Sequence, residues 1–264
     1  LLFWYNYFGG FTMFIDTHMH IGDDFGVEPD LYVKNASDAQ VEVLIASFCE
    51  KDDIMLSTKF VEKYKNLYAC IGYHPEVSNK IVEKDYEILE EMVKNNPKIV
   101  AIGEIGLDYH WVKDNKDKQR EVFCKQLELA EKLKVPVVIH SRDSINETYE
   151  ILKKYKVSGV IHCFSGSLEM AKKFISLGFL LGIGGVVTFK NSKLFEVIEK
   201  LELTSIVLET DSPYLTPEPN RGKTNESSNI FYIAQKIAEI KNIPLENVAK
   251  ITTENAIRTF DLPI

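Results

Sequence analysis

Histidine and carboxylate residues stand at the ends of short apolar segments of this 264-residue sequence. The first segment finishes with the pair His18 and His20, which period-two alternation in a strand places on one face together with Asp16. Two imidazoles on one face can chelate one ion, whereas a lone buried histidine is usually a hydrogen-bonded core residue. The HxH pair is therefore a candidate metal site.

Later segments carry residues of the same kind. Two apolar runs stop at a histidine in the same place, His140 in one run and His162 in the other. Glu104 stands among apolar residues, where a carboxylate must pair, bind a metal or take up a proton. Asp211 ends a further run, whereas Cys163 follows His162 directly and is expected to point to the opposite face.

Together these residues form a candidate ring of four imidazoles and two carboxylates. Six protein ligands exceed the three that a catalytic zinc ion usually takes, so they favour two divalent ions. A bridging carboxylate can hold two ions roughly 3.5 to 4 Å apart, the spacing used for phosphoryl transfer and some amide hydrolysis. The predicted ligands are His18, His20, Glu104, His140, His162 and Asp211.

Such a ring requires strands whose carboxyl ends meet. Short β-branched apolar runs alternate with amphipathic segments such as Lys118–Leu133 and Ser144–Tyr155, the pattern of βαβ units in a parallel sheet. We predict eight strands, namely Met13–His20, Val41–Phe48, Leu67–His74, Ile99–Leu107, Pro136–Arg142, Gly159–Ser165, Phe179–Val187 and Ser205–Asp211.

Eight strand and helix units in roughly 250 residues favour an α/β fold of the (β/α)8 TIM-barrel type over a doubly wound sheet. We predict one TIM-barrel domain over residues 13–264 and an N-terminal extension, residues 1–12, that comes from an upstream start and lies outside the fold. After strand eight come a long loop, Ser212–Asn229, and two helices, Ile230–Lys241 and Pro244–Phe260. The first of these helices is expected to close the barrel.

Composition narrows the class of protein. The sequence is 45% hydrophobic and carries a net charge of -8, so no global positive field attracts nucleic acid and any polyanion must be held locally. From Phe14 onward no stretch approaches the roughly 18 to 20 apolar residues of a membrane span. The four cysteines include no CxxC pair. We expect a cytoplasmic protein without a membrane partner; its oligomeric state stays open, with a monomer as the simplest case.

Ordered motifs from Phe14 to about Phe260 resemble the TatD-related metal-dependent deoxyribonucleases of the amidohydrolase-like barrel superfamily. A match of so many segments in the same order is highly specific, whereas the HxH motif alone would be weak evidence. The motifs are Ile15-Asp-Thr-His-Met-His20, Gly72-Tyr-His-Pro75, Gly103-Glu-Ile-Gly-Leu-Asp-Tyr109, Gln126-Leu-Glu-Leu-Ala130, His140-Ser-Arg-Asp143, His162-Cys-Phe-Ser-Gly166, Glu209-Thr-Asp-Ser-Pro-Tyr-Leu215 and Arg221-Gly-Lys223.

The resemblance implies hydrolysis of DNA phosphodiesters, typically with Mg²⁺, and with Zn²⁺, Mn²⁺ or other divalent ions as alternatives. Ions of this kind polarise the phosphoryl oxygen and generate hydroxide from water, so no side-chain nucleophile is needed. The resemblance also divides the ligands between two ions, with Glu104 between them: His18, His20 and Asp211 for one ion, His140 and His162 for the other.

Catalytic and substrate roles follow from these assignments. Glu104 and Asp211 are the predicted catalytic carboxylates, and Asp211, at the mouth, is the candidate to orient or deprotonate the water. We expect short or single-stranded DNA ends as substrates, because an acidic protein must hold phosphate through metals and a few nearby groups. The candidate substrate contacts are His74, Arg142, Arg221 and Lys223.

One motif departs from the family pattern, and two alternative functions stay open. Where the family usually reads Asn-Glu-Pro, this sequence has Asn225-Glu-Ser227, and the missing proline frees a turn in the loop after strand eight. One alternative is another hydrolase of the superfamily, acting on an amide, lactone, phosphotriester or aminoacyl ester. The other is a non-catalytic metal-binding scaffold or a partner in protein export. The six intact ligands argue against the scaffold, and no interaction tail or membrane segment in the sequence supports the export role.

Overall fold

The computed structural model describes residues 13–22 and 27–264, so the expected extension at residues 1–12 lies outside the described part of the chain. In that part, eight parallel strands are hydrogen-bonded in chain order in one sheet, which confirms the predicted (β/α)8 TIM barrel. The strands are β1 (Phe14–Met19), β2 (Val41–Phe48), β3 (Leu67–Ile71), β4 (Ile99–Asp108), β5 (Val137–Arg142), β6 (Gly159–Ile161), β7 (Phe179–Ile183) and β8 (Ile206–Leu208).

Helices follow the strands and cover the outside of the sheet. Among the described residues, none of them combines the length and apolar character needed to cross a membrane. Short 3-10 turns lie at Pro75–Lys80, Gly185–Thr188, Leu203–Ser205 and Ser227–Asn229. The α-helices are α1 (Pro29–Asp38), α2 (Lys51–Lys63), α3 (Glu83–Asn95), α4 (Lys116–Leu133), α5 (Ile145–Leu152), α6 (Leu168–Ser176), α7 (Leu194–Lys200), α8 (Ile230–Lys241) and α9 (Leu245–Phe260).

The barrel has apolar side chains on both faces of its sheet. In β2, Leu44 and Ala46 pack in the outer cluster between sheet and helices, while Val43 and Ile45 pack in an inner cluster. This alternation is the period of two expected for a strand. Burial of both faces explains why the strands appear in the sequence as nearly continuous apolar runs.

The first and last strands are joined near their carboxyl ends. Met19 pairs with Ser212 in a parallel bridge. The Asp211 amide donates to the His18 carbonyl at 3.0 Å, and the His20 amide donates to the Ser212 carbonyl at 2.8 Å. The segments that close the barrel are therefore the segments that carry three of the predicted ligands.

The opposite end of the barrel is covered by α9. Thr253 Oγ1 donates to the Met13 carbonyl at 3.0 Å, and Asn255 Nδ2 donates to the Ile206 carbonyl at 2.8 Å. These contacts tie α9 to the starts of β1 and β8. The expectation that the preceding helix closes the barrel concerns the outer layer of helices and stays a prediction.

Three of the segments that carry predicted functional residues leave the sheet earlier than predicted. Pro75 follows His74 directly and opens a 3-10 turn. The backbone of Cys163 and Asp211 has left-handed φ angles of 45° and 55°, which end an extended strand. The functional residues thus lie in turns just beyond strands that end at Ile71, Ile161 and Leu208.

Gly106 allows β4 and β5 to approach closely beneath the site. It adopts a φ of 151°, and a Cβ there would lie 1.9 Å from the His140 carbonyl oxygen. We predict that Gly106→Ala lowers the free energy of unfolding by about 3 kcal/mol or more, because the two strands must separate. Urea denaturation measures this loss.

Gly178 provides the matched control. Its φ is also positive, at 91°, but nothing lies within 4 Å of a Cβ built there. Gly178→Ala should cost only the backbone strain, roughly 1 to 2 kcal/mol. Equal losses in the two variants would show that the contact with β5 is unimportant.

Candidate metal centre

Glu104 lies at the centre of the predicted ring, and its two oxygens face different histidines. Oε2 lies 3.4 Å from His18 Nε2. Oε1 lies 2.6 Å from His140 Nδ1 and 3.8 Å from His162 Nε2. This carboxylate therefore stands between His18 on one side and two histidines on the other, which is the arrangement expected of a bridging ligand.

Asp211 faces three of the imidazoles. Its Oδ1 lies 3.7 Å from His18 Nε2, 3.6 Å from His20 Nε2 and 3.6 Å from His162 Nε2. These distances exceed those of good hydrogen bonds. In tetrahedral coordination, ligand bonds of roughly 2.0 to 2.2 Å place two ligands of one ion roughly 3.3 to 3.6 Å apart, close to these distances. The spacing therefore fits atoms arranged around a cation.

His162 is shared between the two carboxylates. Its ring stacks on His18 with a centroid distance of 3.5 Å, and its Nε2 faces both Glu104 and Asp211. The six predicted ligands are thus brought together at one end of the barrel, while the division of the histidines between two ions stays a prediction.

The buried Nε2 of His18 fits a metal better than a purely structural role. This nitrogen has no hydrogen-bond partner among the described residues, whereas the other ring nitrogen, Nδ1, lies 3.2 Å from Ser47 Oγ. A buried polar atom without a partner is costly. A bound cation would satisfy it, so the donor set of the ring fits divalent metal.

Burial and mutual attraction set the charges in the ring. Burial alone would raise the pKa of Glu104, but the neighbouring imidazoles, His162 first among them, hold it well below its usual range. Burial opposes charge on His140 and His162, yet the adjacent carboxylates raise their pKa values to about 9 and about 10. The carboxylates are therefore ionised, and a cation must displace protons from these two imidazoles.

Two further carboxylates face histidines from outside the ring. Asp108 Oδ2 and His140 Nε2 form a hydrogen bond of 3.0 Å, a contact that fixes the direction of the imidazole and raises its basicity as a ligand. Glu209 Oε1 lies 3.1 Å from His162 Nδ1 without the geometry of a hydrogen bond, and its charge raises the pKa of His162. Sequence reasoning missed Asp108, although its place at the end of β4 was a signal that could have identified it.

Asp16 does not join the ring. Its carboxylate accepts from the Thr210 amide at 2.9 Å and from the Thr210 and Ser227 hydroxyl groups at 2.5 Å each. Burial raises the pKa of Asp16 to about 7 in spite of these donors. The expected sharing of one face with the two histidines was wrong, because the pairing register of β1 shifts between Asp16 and Met19.

His74 lies beside the ring as a neutral donor. Its Nε2 is 3.8 Å from Glu104 Oε1, and its Nδ1 accepts from the Glu76 amide at 3.4 Å. The accepting nitrogen carries no proton, so the proton is on Nε2. Burial lowers the pKa of His74 to about 4, which keeps its imidazole uncharged near pH 7. Its predicted contact with phosphate stays a prediction.

The three predicted cationic contacts are exposed. Arg142 is the last residue of β5, and Arg221 and Lys223 lie in the loop after β8. They are not members of the ring. Each contacts a neighbour outside the ring: Arg142 the Trp111 ring, Arg221 the Phe189 ring and Lys223 the Asn220 side chain.

The fold and the site together define a class of protein. A (β/α)8 barrel with convergent imidazoles and carboxylates at the carboxyl ends of its strands is the architecture of a metal-dependent hydrolase.

Comparison with known proteins identifies the family. The chain belongs to the TatD related DNase family, whose model matches residues 15–261. It is 40% identical over 253 residues to the uncharacterized metal-dependent hydrolase YabD of Bacillus subtilis, with 94% of this chain and 99% of that protein covered. The crystal structure of the TatD homologue YjjV from Escherichia coli K12 matches with a TM-score of 0.90 and 32% identity, covering 96% of this chain and 100% of the other.

A more distant match agrees with these two. The crystal structure of a TatD family hydrolase from Entamoeba histolytica has a TM-score of 0.83 and 25% identity, covering 94% of this chain and 98% of the other. The resemblance noted in the sequence is confirmed, and the chain is a metal-dependent hydrolase of the TatD family.

The predicted pairing of His140 with His162 can be tested by metal analysis. Both residues face Oε1 of Glu104, whereas His18 faces Oε2. If they hold one ion, removal of either should empty that position, so the double variant should lose little more metal than each alanine variant alone. Independent, additive losses of two ions would contradict the pairing.

Ser227 occupies the place of the usual proline, and its contacts lead to a prediction. Its backbone N–H donates to Tyr32 Oη at 3.0 Å, and its hydroxyl donates to Asp16. Proline would remove both contacts, so Ser227→Pro should lower the free energy of unfolding by roughly 2 kcal/mol, and Ser227→Ala by roughly 1 kcal/mol. An unchanged urea midpoint in Ser227→Pro would show that these contacts do not stabilise the loop.

Proposed function

We propose that this protein hydrolyses DNA phosphodiester bonds with water, using two divalent ions, with Mg²⁺ as the working metal. The observation that carries the proposal is the position of Glu104, whose two oxygens face separate groups of histidines. The family description, TatD related DNase, supports phosphodiesters as the substrate class.

The chemistry divides between the metal and the chain. Bound divalent ions at such a centre activate water and neutralise charge on a phosphoryl group. Burial would raise the pKa of Asp211, but the imidazoles around it lower that pKa, so the carboxylate is ionised. The Asp211 side chain is 14% exposed, against 5% for Glu104, so Asp211 is the carboxylate of the ring that is more accessible to water. It can orient that water and accept its proton.

Groups at the mouth hold the substrate. The neutral Nε2–H of His74 is directed towards the ring and can donate to a phosphoryl oxygen. Arg142, Arg221 and Lys223 can contact backbone phosphates on either side of the cleaved bond. Because the net charge of the chain is -8, only these few groups attract phosphate and the protein as a whole does not. This favours short or single-stranded DNA ends over long duplex DNA as substrates.

The four cysteines are free thiols. This is consistent with a reducing compartment, and we place the reaction in the cytoplasm.

Digestion assays with metal-reconstituted protein test the function. End-labelled single- and double-stranded DNA and RNA are compared with phosphotriester, lactone and amide substrates under the same conditions. We expect metal-dependent cleavage of DNA, fastest on single-stranded ends. Turnover of the small substrates without cleavage of DNA would overturn the proposal in favour of another hydrolase reaction on this barrel.

Replacing the carboxylate of Asp211 tests its role. We predict that Asp211→Asn keeps the fold but lowers turnover by roughly 10²-fold or more, because an amide binds metal poorly and cannot accept a proton. Asp117→Asn, which changes a fully exposed aspartate of α4, is the matched control and should retain wild-type turnover. Wild-type DNA cleavage by the folded, metal-loaded Asp211→Asn variant would exclude Asp211 from the mechanism.

A further inference from the structure

An exposed indole lies on the rim of the barrel beside the metal centre. Trp111 follows β4, and 64% of its surface is exposed. The Arg142 guanidinium carbon lies 5.4 Å from the centroid of this ring, and the His110 ring packs edge-on at 4.7 Å. A cation beside an indole is a favourable pair that still leaves much of this ring open to a ligand.

A single carboxylate fixes the position of Trp111 relative to the ring. Asp108 Oδ1 accepts from the backbone amides of His110 and Trp111, both at 2.8 Å. The other oxygen, Oδ2, lies 3.0 Å from His140 Nε2. Asp108 is fully buried, and its carboxylate connects the Trp111 backbone directly to His140, a predicted metal ligand.

Arg142 connects to the same part of the site through β5. It lies two residues after His140, so the alternation of the strand directs both side chains to the same side. The Tyr109 amide donates to the Arg142 carbonyl at 3.0 Å, which ties the loop carrying Trp111 to the end of β5. An aromatic face, a guanidinium group and a metal centre therefore lie side by side.

We propose that Trp111 is a stacking site for a nucleobase of a single-stranded DNA end, with Arg142 contacting a phosphate of the same strand. The proposal deepens the proposed function and rests on it. An unpaired base can stack on an exposed ring whatever its identity, and a guanidinium group matches the phosphate beside it. Bases within a duplex are already stacked on their neighbours, so this site selects unpaired ends.

Fluorescence can detect the contact directly. Trp4 and Trp111 are the two tryptophans of the chain, so Trp4→Phe leaves Trp111 as the sole indole. The metal-loaded Trp4→Phe protein is titrated with a short phosphorothioate thymidine oligonucleotide, which resists cleavage. We expect saturable quenching of the Trp111 emission as a base stacks on the ring.

The outcomes separate this proposal from the proposed function. Absence of quenching from a protein that cleaves single-stranded DNA would overturn the stacking site and leave the nuclease function intact. Saturable quenching by a protein that does not cleave DNA would support the site and overturn the nuclease function.

Variants test whether the ring contributes affinity. Trp111→Ala should weaken binding of a labelled oligonucleotide by roughly 5- to 100-fold, and Trp111→Phe should restore most of the loss. Phe195→Ala removes an aromatic ring of α7 that is 47% exposed and should leave binding unchanged. Metal content and thermal stability should match in all four proteins, because neither ring contacts the ligand atoms.

An abasic oligonucleotide completes the test. If the indole contacts the base, replacement of bases by abasic residues should abolish the difference in affinity between the wild type and Trp111→Ala. A difference that persists on the abasic strand would assign the effect to the loop or to phosphate contacts, and would overturn the stacking site.

Discussion

Closure of the barrel between its first and last strands is the constraint on which the site depends. The Asp211 amide donates to the His18 carbonyl, and the His20 amide donates to the Ser212 carbonyl. These two backbone hydrogen bonds place one carboxylate against two imidazoles before any metal is considered. A parallel barrel can close only when its strands have the correct stagger, so the same stagger that completes the sheet also sets the spacing of the ligand atoms.

The ring brings several charged side chains together in a buried site, where the negative carboxylates and the positive imidazoles balance one another. Isolated carboxylates or imidazolium groups at this depth would lose more hydration energy than the fold could supply. Here Glu104 and Asp211 both face His18 and His162, and Asp211 also faces His20. Asp108 and Glu209 face histidines from outside the ring. Compensation is incomplete, because His18 Nε2 faces both carboxylates but makes no hydrogen bond among the described residues. A divalent cation would satisfy that nitrogen and the carboxylates together, and metal binding would then stabilise the centre.

The sequence alone predicted the barrel, because eight apolar runs of strand length alternate with amphipathic helices. It also predicted which polar residues gather at one end, since parallel strands present their carboxyl ends together. It did not predict where His74, His162 and Asp211 leave their strands, because those exits depend on local backbone angles and a proline. The place of Asp16 depends on a register shift in β1, which no pattern of residue types shows. The supporting role of Asp108 depends on contact with His140, a residue 32 positions away.

The predicted metal ligands and the proposed substrate contacts are supported differently by the fold. Glu104 and His140 lie within β4 and β5, and the other ring residues lie near or just beyond the ends of their strands, so the sheet fixes their positions. Trp111, Arg221 and Lys223 lie in loops at the mouth, where substitutions disturb neither the core nor the closure of the barrel. Asp108 is the exception, because it contacts His140 with one oxygen and holds the loop of Trp111 with the other. Changes in this loop can therefore alter the proposed contact with a DNA end while the metal centre keeps its geometry, but loss of Asp108 would affect both.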